Sequence, residues 1–377
     1  MPERLAASVR GGSAAPSDIE SLLERGIEAG HFPGAVALAG GAQEVAWCCA
    51  RGRAVVEPEE HRAAGETVYD LAELTQPLVT APLILLLDAL EGLDLDARLA
   101  RFLPEIDRLD KRDITLRDLL LHRSGLPEWV PLYTHGLGMA GYLRHLRDRP
   151  PVCRAGSRVL PSAVGYILLG EVAARVGSAP LERLAREMLF APLGSSSLGF
   201  GPRPPEERPR TAATERGDVF ESRRAGREAA AYRGWRREVI WGEAHDHVTW
   251  RLGGVSGSAG LFGAAGDLWL YAREFLGRGC GLFPDRLVPL LRQDGTTELA
   301  EGRAFGWQLA RTPGCAAGEA LGSEAFGLGG FTGASVWIDP VAERIFVLLT
   351  NRVHPEVRPV DMDAIRRKFH QAAAARL

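Results

Sequence analysis

The chain has 377 residues, with 45 basic and 48 acidic side chains, a formal charge of −3, and 46% hydrophobic and 25% charged residues. This balance fits one large globular domain and excludes collagen-like, coiled-coil and wholly disordered classes; it gives no electrostatic reason to expect nucleic acid or an anionic membrane as partner. Only Lys111 and Lys368 are lysines, so chemistry that needs an amine as proton acceptor has two candidates.

Residues 1–16 are small, polar and Gly/Ser/Pro-bearing and read as a flexible tail without the apolar core of a signal peptide. A helix is predicted from the Ser17-Asp18 cap, with Ile19, Leu22, Leu23 and Ile27 on one face. The short apolar runs at 34–40 and 44–52 flank Gly40-Gly41 and predict an antiparallel hairpin. Residues 77–90, PLVTAPLILLLDAL, are apolar nearly all round and predict a helix at the centre of a domain. Residues 95–200 carry mostly helical patterns, whereas 202–240, rich in Arg, Glu and Pro, read as a solvated excursion. Strand patterns return at 305–310, 334–340 and 344–351, before a last helix over 362–377. Strands at both ends with helices between them imply one sheet built from both termini and an inserted helical subdomain.

The five cysteines, Cys48, Cys49, Cys153, Cys280 and Cys315, lack paired or Cys/His ligand spacing, which predicts free thiols in a reducing, cytoplasmic setting and no metal site. No stretch of about 18 apolar residues marks a membrane span.

Taken in order, PGAVALAG, VYDLAELTQPL, LDLDARLARFLPEI, ITLRDLLLHRSGLP, GYILLGEVAARVG, GEAHDHVTWRLGGVSGSAGLF, FGLGGFTGASVWIDP and LLTNRVHP resemble the serine β-lactamase and penicillin-binding-protein family. The likeness is to its class C-like esterase and D-aminopeptidase branch. It implies an α+β, β-lactamase/transpeptidase-like fold: an antiparallel sheet flanked by helices, with an inserted helical subdomain. The expected division is a single domain over 17–377, with sheet at about 17–75 and 250–377, helices at about 77–200 and a polar excursion at about 202–240.

The resemblance also implies three catalytic motifs meeting in a cleft, and this chain departs from each. In S-x-x-K, Glu73 stands at the serine position and Gln76 at the lysine position; in Y-x-N the residues are Pro161, Ser162 and Ala163. In K-T-G or H-x-G, Leu328 replaces the cation or imidazole and Gly329 and Gly330 follow. Neither lysine has a serine three residues upstream, and strict G-x-S-x-G is absent; Ser256-Gly257-Ser258-Ala259-Gly260 comes nearest.

Glu73 reads structurally as a carboxylate at a helix start, with Gln76 one turn on as hydrogen-bond partner. Its functional reading is a general base of raised pKa that activates water; the structural reading is preferred, because a base without an acid partner is a poor catalyst. His245-Asp246-His247 invites a metal or triad reading, but within the resemblance it is architectural. His122-Arg123-Ser124-Gly125 reads as a helix-ending turn. Trp129, Trp235, Trp241, Trp250 and Phe331 are either cleft or core aromatics, and Gly327 to Gly333 lacks the dinucleotide spacing.

The cleft-lining candidates are therefore Glu73, Gln76, Ser162, Leu328, Gly329, Gly330 and Phe331, with no cofactor implied. The function read from these residues is that of a catalytically degenerate pseudoenzyme whose cleft holds a small molecule or protein partner. The alternative is a repurposed hydrolase or transferase using Glu73, and third comes an active β-lactamase- or esterase-type hydrolase. With a carboxylate at the serine position and no cation in the motifs, the cleft is expected to favour neutral or cationic ligands over carboxylates unless an arginine enters it.

Overall fold

In the computed structural model, residues 18–136 and 138–377 are described; the tail expected over 1–16 lies outside them. The first helix, Asp18–Glu28, buries Ile19, Leu22 and Leu23 as its spacing predicts, with Ile27 partly covered. The hairpin pairs β1 (Gly34–Gly41) with β2 (Val45–Val55), placing Ala37 opposite Cys49 and Leu38 opposite Cys48. The other strands of the main sheet are β3 (His61–Arg62), β4 (Gln308–Leu309), β5 (Phe326–Gly329), β6 (Ser335–Asp339) and β7 (Arg344–Thr350). Their order across the antiparallel sheet is β3-β2-β1-β7-β6-β5-β4, so the N-terminal hairpin docks directly on the last strand. The strand expected over 305–310 contracts to the two residues of β4.

Because side chains alternate across a strand, one sequence supplies two cores. Ala35, Ala37, Ala39, Trp337, Phe346 and Leu348 face the first helix and the last, Met362–Ala374. Val36, Leu38, Val336, Ile338, Ile345, Val347 and Leu349 face the larger core beneath the helical region. The central helix runs through that core as a wide π turn, Gln76–Thr80, followed by the α-helix Ala81–Glu91. Ala72–Glu91 forms a 20-residue apolar helical stretch by length and composition, and most of it is buried within the protein. Thr115 closes a capping box on Leu116–Leu120, and Ser162 caps Ala163–Val176 by accepting from Gly165 N at 3.1 Å.

The excursion differs from its solvated reading. Ala213–Arg216 pairs with Val239–Trp241, a helix spans Val219–Ala225, and Thr214, Glu215, Asp218 and Glu221 are buried. Its charges become buriable where they meet partners: Arg236 donates to Asp218 at 2.7 Å, and His245 Nε2 lies 3.2 Å from Glu215.

Candidate active site and family

A cleft of about 500 Å³ opens between the end of β5, the start of the central helix and the cap of Ala163–Val176. Glu73, Gln76, Pro161, Ser162, Ala163, Leu328, Gly329, Gly330 and Phe331 all line it, so the structure brings the three motif segments into one site. The chain reaches Glu73 through Ala72, whose φ of 48° is left-handed; Asp70 Oδ1 holds that turn by accepting from Ala72 N at 2.8 Å. Non-glycine residues in this region carry strain that surrounding contacts must sustain.

Glu73 is half-buried and does not bond Gln76, as the sequence suggested it would. Its Oε2 accepts from Phe331 N at 2.7 Å, because the helix start and the end of β5 bring that N–H to the same point. Burial pushes the Glu73 carboxyl up, against the opposing effect of the backbone N–H groups of Phe331 and of Glu73 itself. Phe331 is held from its other side too: Arg352 Nε donates to its carbonyl at 2.6 Å, and the guanidinium lies 4.6 Å from the ring centroid.

Gln76 is turned towards His122. The His122 Nδ1 accepts from Ser162 N at 3.0 Å, which leaves the proton on Nε2 to donate to Gln76 Oε1 at 3.1 Å. Burial, followed by the nearby Arg303 charge, holds this imidazole well below its ordinary value, so it stays neutral. His122 is thus more than a turn residue: it joins the first- and second-motif segments across the cleft. The H-x-S-G pattern pointed to its position but not to its partners.

Ser162 is occupied as a helix cap, its hydroxyl also donating to Pro127 O at 2.7 Å, and offers no free nucleophile. His245 and His247 do not converge. His245 pairs with Glu215, while His247 Nδ1 lies 3.0 Å from Asp218 and Nε2 lies 2.9 Å from Tyr232 Oη. Asp246 between them lines the cleft and caps the next helix by accepting from Thr249 N at 2.7 Å. Of the five aromatics, Trp129 and Phe331 line the cleft; Trp235 and Trp250 pack on His247, and Trp241 on His61.

The expected preference for neutral or cationic ligands held unless an arginine enters the cleft, and four do. Arg224, Arg303, Arg352 and Arg366 line the cleft alongside Glu73, Glu128, Asp246, Asp361 and Asp363. None of these arginines lies in a catalytic motif, and each reaches the site from a different part of the chain. Arg366 comes from the last helix and donates to the carbonyls of Gly330 and Ala334, both at 3.2 Å. Both signs of charge are therefore present, and neither commands the site.

Comparison with known proteins agrees with this architecture. The Beta-lactamase family matches residues 19–370. An Escherichia coli (strain K12) protein named "Putative D-alanyl-D-alanine carboxypeptidase" is 30% identical over 323 residues, covering 78% of this chain and 71% of its own. Among solved structures, "EstCE1, a hydrolase with promiscuous acyltransferase activity" superposes with a TM-score of 0.71 at 21% identity, covering 94% of this chain and 97% of that one. A class C beta-lactamase from Rhodobacter sphaeroides gives 0.69 at 19%, covering 94% and 98%. With its sheet built from both termini and a cleft at the head of the central helix, this chain belongs to the beta-lactamase family and has the α+β fold shared by serine β-lactamases and penicillin-binding proteins.

Proposed function

We propose that this protein is a pseudoenzyme: it lacks Ser–Lys acylation and uses the inherited cleft to bind a small polar molecule carrying both charges. The observation that carries this reading is the 2.7 Å contact from Phe331 N to Glu73 Oε2. Backbone N–H groups at a helix start and a strand end stabilise the oxygen that gains charge when an acyl carbonyl is attacked. Here a side-chain carboxyl oxygen takes the Phe331 donor, at the position where the resemblance calls for a hydroxyl nucleophile. Gln76 cannot accept a proton as an amine would, and Pro161 and Leu328 supply no acid.

The mixed charge of the lining supports a zwitterionic ligand, and the name borne by the E. coli relative suggests peptide-like termini as a probe. Five free cysteines agree with a reducing, cytoplasmic setting. The decisive experiment incubates the protein with a fluorescent penicillin, chromogenic cephalosporins and p-nitrophenyl esters, followed by intact-mass measurement. No adduct and no hydrolysis above background are expected; a mass gain equal to one acyl group overturns the reading. Calorimetry with D-alanyl-D-alanine, its amide and its N-acetyl derivative should favour the unmodified zwitterion.

A second reading has one observation in its favour. Burial raises the Glu73 pKa, as a general base acting on water requires. Under that reading hydrolysis of some substrate occurs without a covalent intermediate and disappears in Glu73→Gln.

A further inference from the structure

Three ligand-type side chains from separate segments meet near the surface. His135 ends the turn Leu132–His135, His145 lies on the helix Gly138–Asp148, and Glu228 lies on Gly226–Ala229 within the excursion. One ligand atom from each lies within 4.8 Å of the other two. The imidazoles of His135 and His145 are stacked, with centroids 3.7 Å apart and planes inclined by 7°; His135 Nε2 is 3.6 Å from Glu228 Oε1. His145 Nε2 is shielded from solvent and has no hydrogen-bond partner among the described residues, an unusual condition for a buried polar atom. The opposing feature is Arg149, which donates to Glu228 Oε1 at 2.6 Å and shares that carboxylate.

We propose that His135, His145 and Glu228 bind a transition-metal dication of the zinc class, with water completing the coordination, and that the ion clasps the excursion to the helix Gly138–Asp148. Two imidazoles and a carboxylate form a nitrogen-rich set suited to Zn²⁺, Co²⁺ or Ni²⁺; Ca²⁺ and Mg²⁺ require mostly oxygen donors. Tetrahedral ligation at about 2.0–2.1 Å sets nitrogens roughly 3.4 Å apart. An ion lies in the plane of each imidazole that ligates it, so the stacked rings cannot share one as they stand: the exposed His135 must swing out of the stack, and the exposed Glu228 must give up Arg149. No local ligand spacing announced the site, because the two histidines are ten residues apart and Glu228 comes from the excursion. Its consequence for the cleft follows from Arg224, on the same excursion, which pairs with Glu128 at 3.2 Å and lies 4.4 Å from the Trp129 ring centroid. An ion at Glu228 would anchor that crossing from one end.

The test strips the full chain with a chelator, then titrates Zn²⁺ against a chromophoric competitor and follows Co²⁺ by visible absorption. One equivalent of each should bind, with nitrogen-ligated Co²⁺ bands. His145→Ala, Glu228→Gln and the exposed His135→Asn should each weaken Zn²⁺ at least tenfold, since even indirect ligand partners are worth that much. Circular dichroism checks that each variant is folded, and three variants on three segments guard against one misfolding. Failure of the wild-type protein to bind a stoichiometric ion, or unchanged affinity in the folded variants, overturns the proposal. Neither outcome depends on whether the cleft is catalytic.

Discussion

Glu73 and Gln76 show how two substitutions redirect a site without dismantling it. Each still points into the cleft, but each is satisfied by a partner of its own: Phe331 N for Glu73, the His122 imidazole for Gln76. Restoring the motif pair alone should therefore give incomplete chemistry. The double variant Glu73→Ser/Gln76→Lys returns a nucleophile and an amine and frees Phe331 N, yet Pro161 and Leu328 remain unable to move protons, and groups that act together are not additive. It is expected to accept a fluorescent penicillin slowly and to hold the acyl group; intact mass followed over hours reads both steps. Multiple turnovers would show that the second and third motif positions contribute little. His122 carries a stability prediction of its own. His122→Asn suits the left-handed φ of 55° but is shorter and cannot span from Ser162 N to Gln76 Oε1. Leaving buried partners unmet should cost about 1–3 kcal/mol in urea unfolding.

Among the elements, the helix Val219–Ala225 and strand β5 make opposite demands on their residues. Glu221 is buried on that helix beside Tyr133; burial, with the Asp246 charge beside it, pushes its carboxyl up to about 7. In the unfolded chain such a group ionises near 4.5, so folding is penalised progressively as pH rises from there through 7 and fully above it. Glu221→Gln should thus match the wild type at pH 4 and exceed it by about 1–3 kcal/mol at pH 8. Denaturant midpoints at both pH values measure this, and an equal gain at pH 4 would refute it. On β5, a Cβ added at Gly329 would lie 2.3 Å from Arg366 Nη1. That guanidinium is buried and tied to the carbonyls of Gly330 and Ala334. Gly329→Ala is expected to displace it and cost about 1–3 kcal/mol, with Gly330 and the Phe331 donor shifted as a result; Arg366→Met with Gly329→Ala should recover part of the loss.

Across the whole molecule, both termini contribute to one sheet, and the last helix seals it. His370 sits in that seal, against Trp337 and Phe346, with Nδ1 donating to Ala316 O at 2.8 Å. Burial holds its pKa at about 4. The folded protein keeps it neutral while the unfolded chain takes up a proton below about 6.5, so the stability it confers is intact above that pH and declines as pH falls towards 4. Relative to His370→Gln, the wild type should lose up to about 1.4 kcal/mol per pH unit within that window and none between pH 7 and 8. Parallel unfolding curves from pH 4.5 to 8 provide the measurement; a constant difference would mean that His370 does not stay neutral in the fold.

What the sequence determined by itself was whatever has a local period or a fixed order. Ile19, Leu22 and Leu23 recur at helical spacing, the central helix lacks a polar face, and the family's segments follow one another in sequence; the hairpin forms too, although its turn falls at 42–44 and Gly40-Gly41 belongs to β1. The absence of a serine or lysine at 73 and 76 was equally legible, as were the positions that line the cleft. The partners of those residues were not. Phe331 N reaches Glu73 across 258 residues, and His122 reaches Gln76 across 46. Four arginines of the cleft and the His135–His145–Glu228 trio come from elements whose own patterns say nothing of one another. The acids of the excursion looked solvated because burial of a charge depends on its partner, and here the partners, Arg236 and His245 among them, come from beyond the run or its far end. Local propensity sets the elements; only their packing decides which charges and hydrogen-bonding groups meet, and in this protein that meeting places a carboxylate on the backbone donor beside the cleft.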